Sequence, residues 1–335
     1  MKNKTILITG GTGSLGKALT KHLLENHPDL KKIIIFSRDE QKQYNMNQEF
    51  SVDKYHQMRY FIGDVRDKER LVRAFSGVDY VIHCAAMKHV PIAEYNPDEC
   101  IKTNIGGAQN VIEASLKTRV KKVVALSTDK ASSPINLYGA TKLTSDKLFI
   151  AANNIKGINP IGFSVVRYGN VMGSNGSVIP YFLEKKKDGV IPITNSEMTR
   201  FNINIEDGVK LVLFALNNSL GGELFIPKIP SYNIMDLAEA IAPECEKKII
   251  GVRPGEKIHE EMISTSDSFN TIDIGKYYIV IPSNNELKIE KTILEKFNGK
   301  KVKPNFNYNS KSNPDKETIE SLRKKINLFY EGVNK

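Results

Sequence analysis

The chain has 335 residues, 40% hydrophobic and 26% charged, which excludes a wholly disordered protein and sets a prior of about two domains. Its net charge of +10 comes from 48 basic and 38 acidic residues, but no basic stripe interleaved with aromatics appears, so the excess fits an anionic small ligand or solvated lysines and not a nucleic acid. No apolar run approaches the roughly 18 residues of a membrane-spanning helix, and Cys84, Cys100 and Cys245 fit neither a disulfide framework nor a cysteine-rich zinc site.

The first four residues lead directly into a strand-like run, Thr5–Thr9, which leaves no room for a signal peptide and sets a cytoplasmic location as the expectation. Further strand-like runs follow at Lys32–Ser37, Met58–Gly63, Asp79–Ala86, Lys122–Ser127 and Ile161–Arg167. Several are nearly continuous in Val and Ile, as for strands buried on both faces. Helical patterns lie between them at Leu15–Asn26, Glu40–Gln48, Lys68–Phe75, Asp98–Lys117 and Tyr138–Asn153. Strand alternating with helix predicts an α/β fold, a Rossmann-like doubly wound parallel sheet. After Arg167 the rhythm breaks into glycine-rich and proline-punctuated sequence, with predicted helices at Glu206–Asn217 and Met235–Ile241. The last 55 residues carry 12 basic and 7 acidic side chains and one predicted helix, Lys316–Tyr330. The expected division is a nucleotide-binding domain over 1–168, to which later segments return, a smaller mixed substrate-binding region over 169–281, and a basic tail over 282–335.

Between the first strand and helix, Gly10, Gly13 and Gly16 have GxxGxxG spacing. The early glycines permit a tight turn against a pyrophosphate, Gly16 permits close helix–strand packing, and the helix N-terminus offers N–H donors to phosphate. Thr12, Ser14 and Leu15 share this turn and are expected cofactor neighbours. The end of the second strand reads Phe36-Ser37-Arg38, with Asp39 one step later. Ser37, the planar fork of Arg38, and Lys42 one helical turn on favour the 2′-phosphate of NADP. The other reading makes Arg38 a solvated loop residue and Asp39 the ribose ligand of NAD. Asp64 and Val65, after the third strand, are placed either to contact adenine or to cap the following helix.

Ser127-Thr128-Asp129-Lys130 ends the fifth strand, and Tyr138 and Lys142 follow at i, i+4 on one helix face. A lysine beside a tyrosine favours phenolate, which lets Tyr138 take a proton from a sugar hydroxyl. Asp129 and Lys130 read either as an acid–base pair or as a structural ion pair at a strand end.

These residues carry a resemblance. The chain resembles the extended short-chain dehydrogenase/reductases. Within them it is similar to the group of UDP-N-acetylglucosamine 4,6-dehydratases (5-inverting) of pseudaminic acid synthesis. The matching segments are GGTGSLG (10–16), SRDE (37–40), GDVRDKER (63–70), AAMKHVPIAEYNP (85–97), STDKA (127–131), NLYGATKLTSDKLF (136–149), RYGNVMGSNGSV (167–178), MTRF (198–201) and RPGEKIHEEM (253–262). The lysine after Asp129 and the short Asp129–Tyr138 separation distinguish this group from retaining hexose dehydratases, which carry Asp-Glu there. The match ends near residue 280, and nothing is carried onto the tail.

The resemblance implies a lyase that uses NADP on a nucleotide sugar, with Ala85 and Ala86 among the cofactor contacts. Tyr138 receives the C4 hydroxyl proton, and Thr128 bonds the C4 oxygen. Lys130 is the base for C5–H, provided desolvation and nearby positive charge lower its pKa. Asp129 is the acid at the C6 hydroxyl. Lys88, Asn170, Arg200, Arg253 and Glu256 are the implied substrate contacts, and a homo-oligomer is expected. His89 is read as structural, and His259-Glu260-Glu261 is not a metal motif. The competing readings are a nucleotide-sugar 4-epimerase, which has no need of the Asp129–Lys130 pair, and a non-catalytic NADP-binding protein, which has no need of Tyr138 and Lys142.

Overall fold

Six segments, several of them Val- and Ile-rich, form the strands β1 (Thr5–Thr9), β2 (Lys32–Ser37), β3 (Met58–Ile62), β4 (Tyr80–His83), β5 (Lys122–Leu126) and β6 (Gly162–Val166). In the computed structural model, which describes residues 1–173, 177–283 and 289–333, they run parallel in the order β3-β2-β1-β4-β5-β6. All five residues of β1 and of β6 are buried, which accounts for the Ile6-Leu7-Ile8 core of β1 and the Val165-Val166 end of β6. The order reverses between β1 and β4, the point where such sheets bind ligands beyond their strand C-termini.

The connecting helices are α1 (Ser14–Asn26), α2 (Glu40–Glu49), α3 (Lys68–Ala74), α4 (Val90–Tyr95), α5 (Pro97–Ile101), α6 (Gly107–Lys117) and α7 (Leu137–Ile155). Helix α1 buries Leu15, Leu19 and Leu23, one face at four-residue spacing. The helix expected over Asp98–Lys117 is present without a gap from Pro97 to Lys117, but its middle is wound more widely, and α4 precedes it where no element is predicted. A wider turn over Lys102–Gly106 separates α5 from α6. The cause is tertiary. Asn104 in that turn accepts a hydrogen bond from Met87 N at 2.8 Å and donates to Met87 O and Thr141 Oγ1 at 3.0 Å each.

The second half extends the sheet. Leu224–Pro227 runs parallel beside β6, and Tyr277–Val280, Thr271–Asp273 and Lys300–Lys301 follow antiparallel, giving ten strands. A separate apolar cluster includes Ile179, Phe182, Ile191, Tyr232 and Leu237. Leu322 joins it from the C-terminal helix Ile319–Val333, so part of the basic tail is core. Tyr308–Asn309 also pairs with Glu261–Ile263. Residues 174–176 of the RYGNVMGSNGSV segment lie outside the described residues. Among the described residues no helix is long and apolar enough to cross a membrane.

Candidate active site

The glycine turn follows β1 at the reversal point. Gly10 has φ +63°, and a Cβ there would lie 2.8 Å from Ala85 Cα, just beyond β4. A Cβ on Gly16 would overlap the backbone of Gly11. Gly13 precedes α1 in extended conformation and places no side chain on the first-turn N–H groups. This cradle, which side chains would fill, fits the pyrophosphate of a dinucleotide. Thr12 Oγ1 and Ser37 Oγ are 3.0 Å apart, so the turn is tied to the end of β2. Ser14 is exposed and Leu15 buried at the start of α1.

Asp39 caps α2, its carboxylate accepting from Lys42 N at 2.9 Å, and Lys42 Nζ lies 3.5 Å from the same group. Arg38 extends into solvent, with Nη1 3.9 Å from Asp64 Oδ2. Asp64 accepts from Arg66 N, Nε and Nη2 at 2.8–3.0 Å. It does not cap α3, because Asp67 does so by accepting from Arg70 N. Val65 is buried against Gly107. Ala85 and Ala86 line the exit of β4, Ala85 half-buried and Ala86 exposed.

The end of β5 meets the start of α7. Asn136 caps α7 by accepting from Gly139 N at 2.7 Å. Tyr138 is buried and hydrogen-bonded to the Thr128 side chain. Burial pushes its hydroxyl up to about 12, against the opposing charge of Lys130. Lys142 lies one turn on, and burial lowers its pKa while Asp146, a further turn along, opposes the shift. Asp146 is itself buried between Ser127 Oγ at 2.6 Å and Arg167 Nη2 at 3.2 Å.

Thr128 Oγ1 donates to Asp129 Oδ1 at 3.0 Å, and Lys130 Nζ donates to the same oxygen at 3.1 Å. Asp129 is fully buried, and its Oδ2 has no partner among the described residues. Burial raises its pKa, the Lys130 charge opposes, and the Glu260 carboxylate adds to the rise. The expectation for Lys130 is corrected. Burial does lower it, but Asp129 and Glu260 outweigh burial and hold the ammonium above its ordinary pKa. The second carboxylate is what the sequence did not reveal. Glu260 Oε1 lies 3.2 Å from Lys130 Nζ, although 130 residues separate the two in the chain and no motif links them.

Asn170 reaches the same ammonium, Oδ1 to Nζ at 3.3 Å. Arg200 is buried, donating to Thr199 O at 2.8 Å and Ile258 O at 3.1 Å, with Nε 3.9 Å from Glu260 Oε1. Thus Thr128, Asp129, Lys130, Tyr138, Asn170 and Arg200 converge. Arg253 and Glu256 sit on a separate loop, paired at 3.9 Å and joined to α7 by Asn136 Nδ2 donating to Gly255 O at 2.7 Å. Glu256 Oε2 is buried without a partner among the described residues, as suits an acceptor for a ligand hydroxyl. Lys88 is exposed on the segment entering α4, and His89 occupies the position before that helix. Among the described residues no group of His, Cys, Asp and Glu could hold a metal ion.

A parallel sheet reversing at a glycine turn, with a buried Tyr and Lys one helical turn apart at its edge, defines an extended short-chain dehydrogenase/reductase. The sequence profile described as "Polysaccharide biosynthesis protein" matches residues 6–282, and the chain belongs to that family. It is 58% identical over 331 residues to a UDP-N-acetylglucosamine 4,6-dehydratase (inverting) of Campylobacter jejuni subsp. jejuni serotype O:2, covering 95% of this chain and 97% of that one. It is 42% identical over 300 residues to a UDP-glucose 4-epimerase of Rickettsia canadensis, covering 88% and 87% of the two chains. The X-ray structure of Pen from Bacillus thuringiensis superposes with a TM-score of 0.87 at 37% identity, covering 98% of each chain.

Proposed function

We propose that the protein is an NADP-dependent UDP-N-acetylglucosamine 4,6-dehydratase that inverts C5. Its product would be UDP-2-acetamido-2,6-dideoxy-β-L-arabino-hex-4-ulose, which enters pseudaminic acid synthesis. The observation that carries this reading is the Asp129–Lys130 pair beside Tyr138, its carboxylate fully buried and its ammonium half-buried. An epimerase moves only the C4 proton and hydride, so it has no use for that pair. The inverting dehydratase at 58% identity supports the same choice over the epimerase at 42%.

The glycine cradle and Ser37–Arg38 would hold the dinucleotide, whose nicotinamide supplies a hydride acceptor and donor when bound. The chain's own residues supply the proton chemistry. Tyr138, aided by the neighbouring cations, takes the C4 hydroxyl proton, and Thr128 bonds the same oxygen. A lysine ammonium cannot accept the C5 proton. Lys130 becomes a base by passing one proton to Asp129, 3.1 Å away, and burial makes that carboxyl receptive. The same transfer makes Asp129 the acid that protonates the departing C6 hydroxyl. After elimination the pair is Asp129 carboxylate and Lys130 ammonium, with the same proton count as before, so one internal transfer resets it.

Arg253 suits the diphosphate, and the free oxygen of Glu256 suits a ribose hydroxyl. Lys88 and Asn170 would meet the sugar. The reading includes a homo-oligomer. The test is incubation of the purified protein with UDP-N-acetylglucosamine, followed by mass spectrometry and NMR. The reading requires a 4-keto product lighter by one water. A product isomeric with the substrate would establish the epimerase.

A further inference from the structure

The Lys130 ammonium has three hydrogens to donate, and three acceptors surround it within 3.3 Å: Asp129, Asn170 and Glu260. The chemistry above uses Asp129, and Asn170 is neutral. Glu260 is a second buried carboxylate to which no role has been given.

Several features fix it as an anion in one place. Its side chain is 2% exposed. Arg200 approaches the same Oε1 that meets Lys130, and the Lys257 charge also acts on it. Its backbone is clamped on both sides by the C-terminal segment. Glu260 N donates to Ser310 Oγ at 2.9 Å, and Ser310 N donates to Glu260 O at 2.8 Å. Ser310 is fully buried, and its Oγ also lies 2.7 Å from Thr199 Oγ1. The C-terminal segment therefore seats the residue that carries this carboxylate, immediately before the strand Glu261–Ile263.

We infer that Glu260 is a positioning residue that holds the Lys130 ammonium against Asp129 and fixes the proton the pair shares. The kinetic consequence rests on the dehydratase reading; the effect on Lys130 itself does not. The groups facing Lys130 are the carboxyls of Asp129 and Glu260, the cations of Arg200 and Lys257, the hydroxyls of Tyr138 and Tyr232, and Asn170. Removing the Glu260 charge leaves Arg200 and Lys257 facing Lys130 with one counter-charge fewer. Both members of the pair then release their protons at lower pH.

The test is competitive acetylation of the whole protein with acetic anhydride from pH 6 to 12, reading the Lys130 peptide by mass spectrometry. Glu260→Gln should move the Lys130 midpoint down by about one pH unit or more, a tenfold change in the proton equilibrium. Glu260→Asp should restore most of it, and Ser310→Ala should produce a smaller shift in the same direction. In turnover, both limbs of the kcat profile should move to lower pH in Glu260→Gln while KM changes little. An unchanged midpoint in folded Glu260→Gln overturns the inference. If that variant does not fold, Ser310→Ala decides, and an unchanged midpoint there overturns it equally. A shifted midpoint in a protein that does not dehydrate UDP-N-acetylglucosamine would sink the dehydratase reading and leave the positioning role standing.

Discussion

Gly139 lies directly against the backbone of Lys130. A side-chain carbon at 139 would overlap the Lys130 carbonyl oxygen and lie 3.1 Å from both its carbonyl carbon and Pro134 Cβ. This contact seats the first turn of α7, and with it Tyr138, on the segment that carries Asp129 and Lys130. In an open helix Gly→Ala gains up to about 1 kcal/mol. Here Gly139→Ala should instead cost about 1–3 kcal/mol as overpacking, and should lower kcat by separating the two segments. Urea denaturation and turnover check this. A raised urea midpoint with full activity would show that the contact relaxes freely.

The cofactor choice turns on the end of β2. Asp39 is engaged as the cap of α2, while the Arg38 guanidinium is in solvent near Asp64. That arrangement supports Arg38 as a phosphate ligand and disfavours Asp39 as a ribose ligand. Protein denatured after purification should release NADP(H). Arg38→Ala should weaken NADP by about 1.5–3 kcal/mol, as for a lost charged hydrogen bond, and should leave NAD binding unchanged. Release of NAD(H) alone would reverse the assignment.

Strands such as β2 and β5 were legible because burial on both faces writes them as Val–Ile runs, and β1 and β2 begin and end where the sequence places them. The wide turn between α5 and α6 was not legible within an otherwise correctly placed helix, since Asn104 in it binds Met87 and Thr141 from other elements. The same holds at the site. Tyr138, Lys142, Asp129 and Lys130 are local in sequence and could be read together. Glu260 reaches Lys130 only after the chain has returned past Arg200 and been clamped by Ser310, so no spacing rule finds it. The condition placed on Lys130 could not be judged from the sequence for that reason, because Asp129 and the distant Glu260 together raise it against burial.

Stability should depend on pH through His83. It is buried, its Nδ1 lies 2.8 Å from Thr9 Oγ1, and burial, aided by the Lys142 charge, pushes its pKa down to about 3. The folded value lies below the ordinary value of about 6.5, so the folded state favours the neutral ring. The contribution is complete above about pH 6.5 and is lost as pH falls toward 3, at up to about 1.4 kcal/mol per unit. His83→Gln should flatten the fall of the urea midpoint between pH 6 and 4. An unchanged slope would assign the acid sensitivity to other groups.

The two halves of the chemistry should separate by mutation. On the proposed scheme Tyr138→Phe removes the hydroxyl that receives the C4 proton, so mixing with substrate should give no transient NADPH absorbance at any pH. Lys130→Ala retains Tyr138 and Lys142, so it should form NADPH and then stall before water is lost. Normal turnover by Lys130→Ala would make Lys130 structural and deprive the elimination of its base.

The stereochemical outcome separates the dehydratase from both a retaining enzyme and an epimerase. Elimination takes the proton from C5, and a proton must return there. That proton comes from solvent, directly or through an exchanging side chain, so product made in D₂O should carry one deuterium at C5 when first formed. The hydrogen added at C6 comes from C4 inside the site, so C6 should gain no solvent label in that step. Inversion requires the donor to stand on the face opposite Lys130. Tyr138, which already holds the proton from the C4 hydroxyl, or a water beside it can serve, whereas return from Lys130 itself would retain the configuration. Ring couplings in the NMR spectrum should therefore show the L-arabino configuration. A 4-keto-6-deoxy product with the D-xylo configuration would keep the acid–base pair and the loss of water, but would place the proton's return on the Lys130 face. A product with no water lost and no deuterium at C5 would leave Asp129 and Lys130 as an ion pair at the end of β5 and Tyr138 as the base of an epimerase.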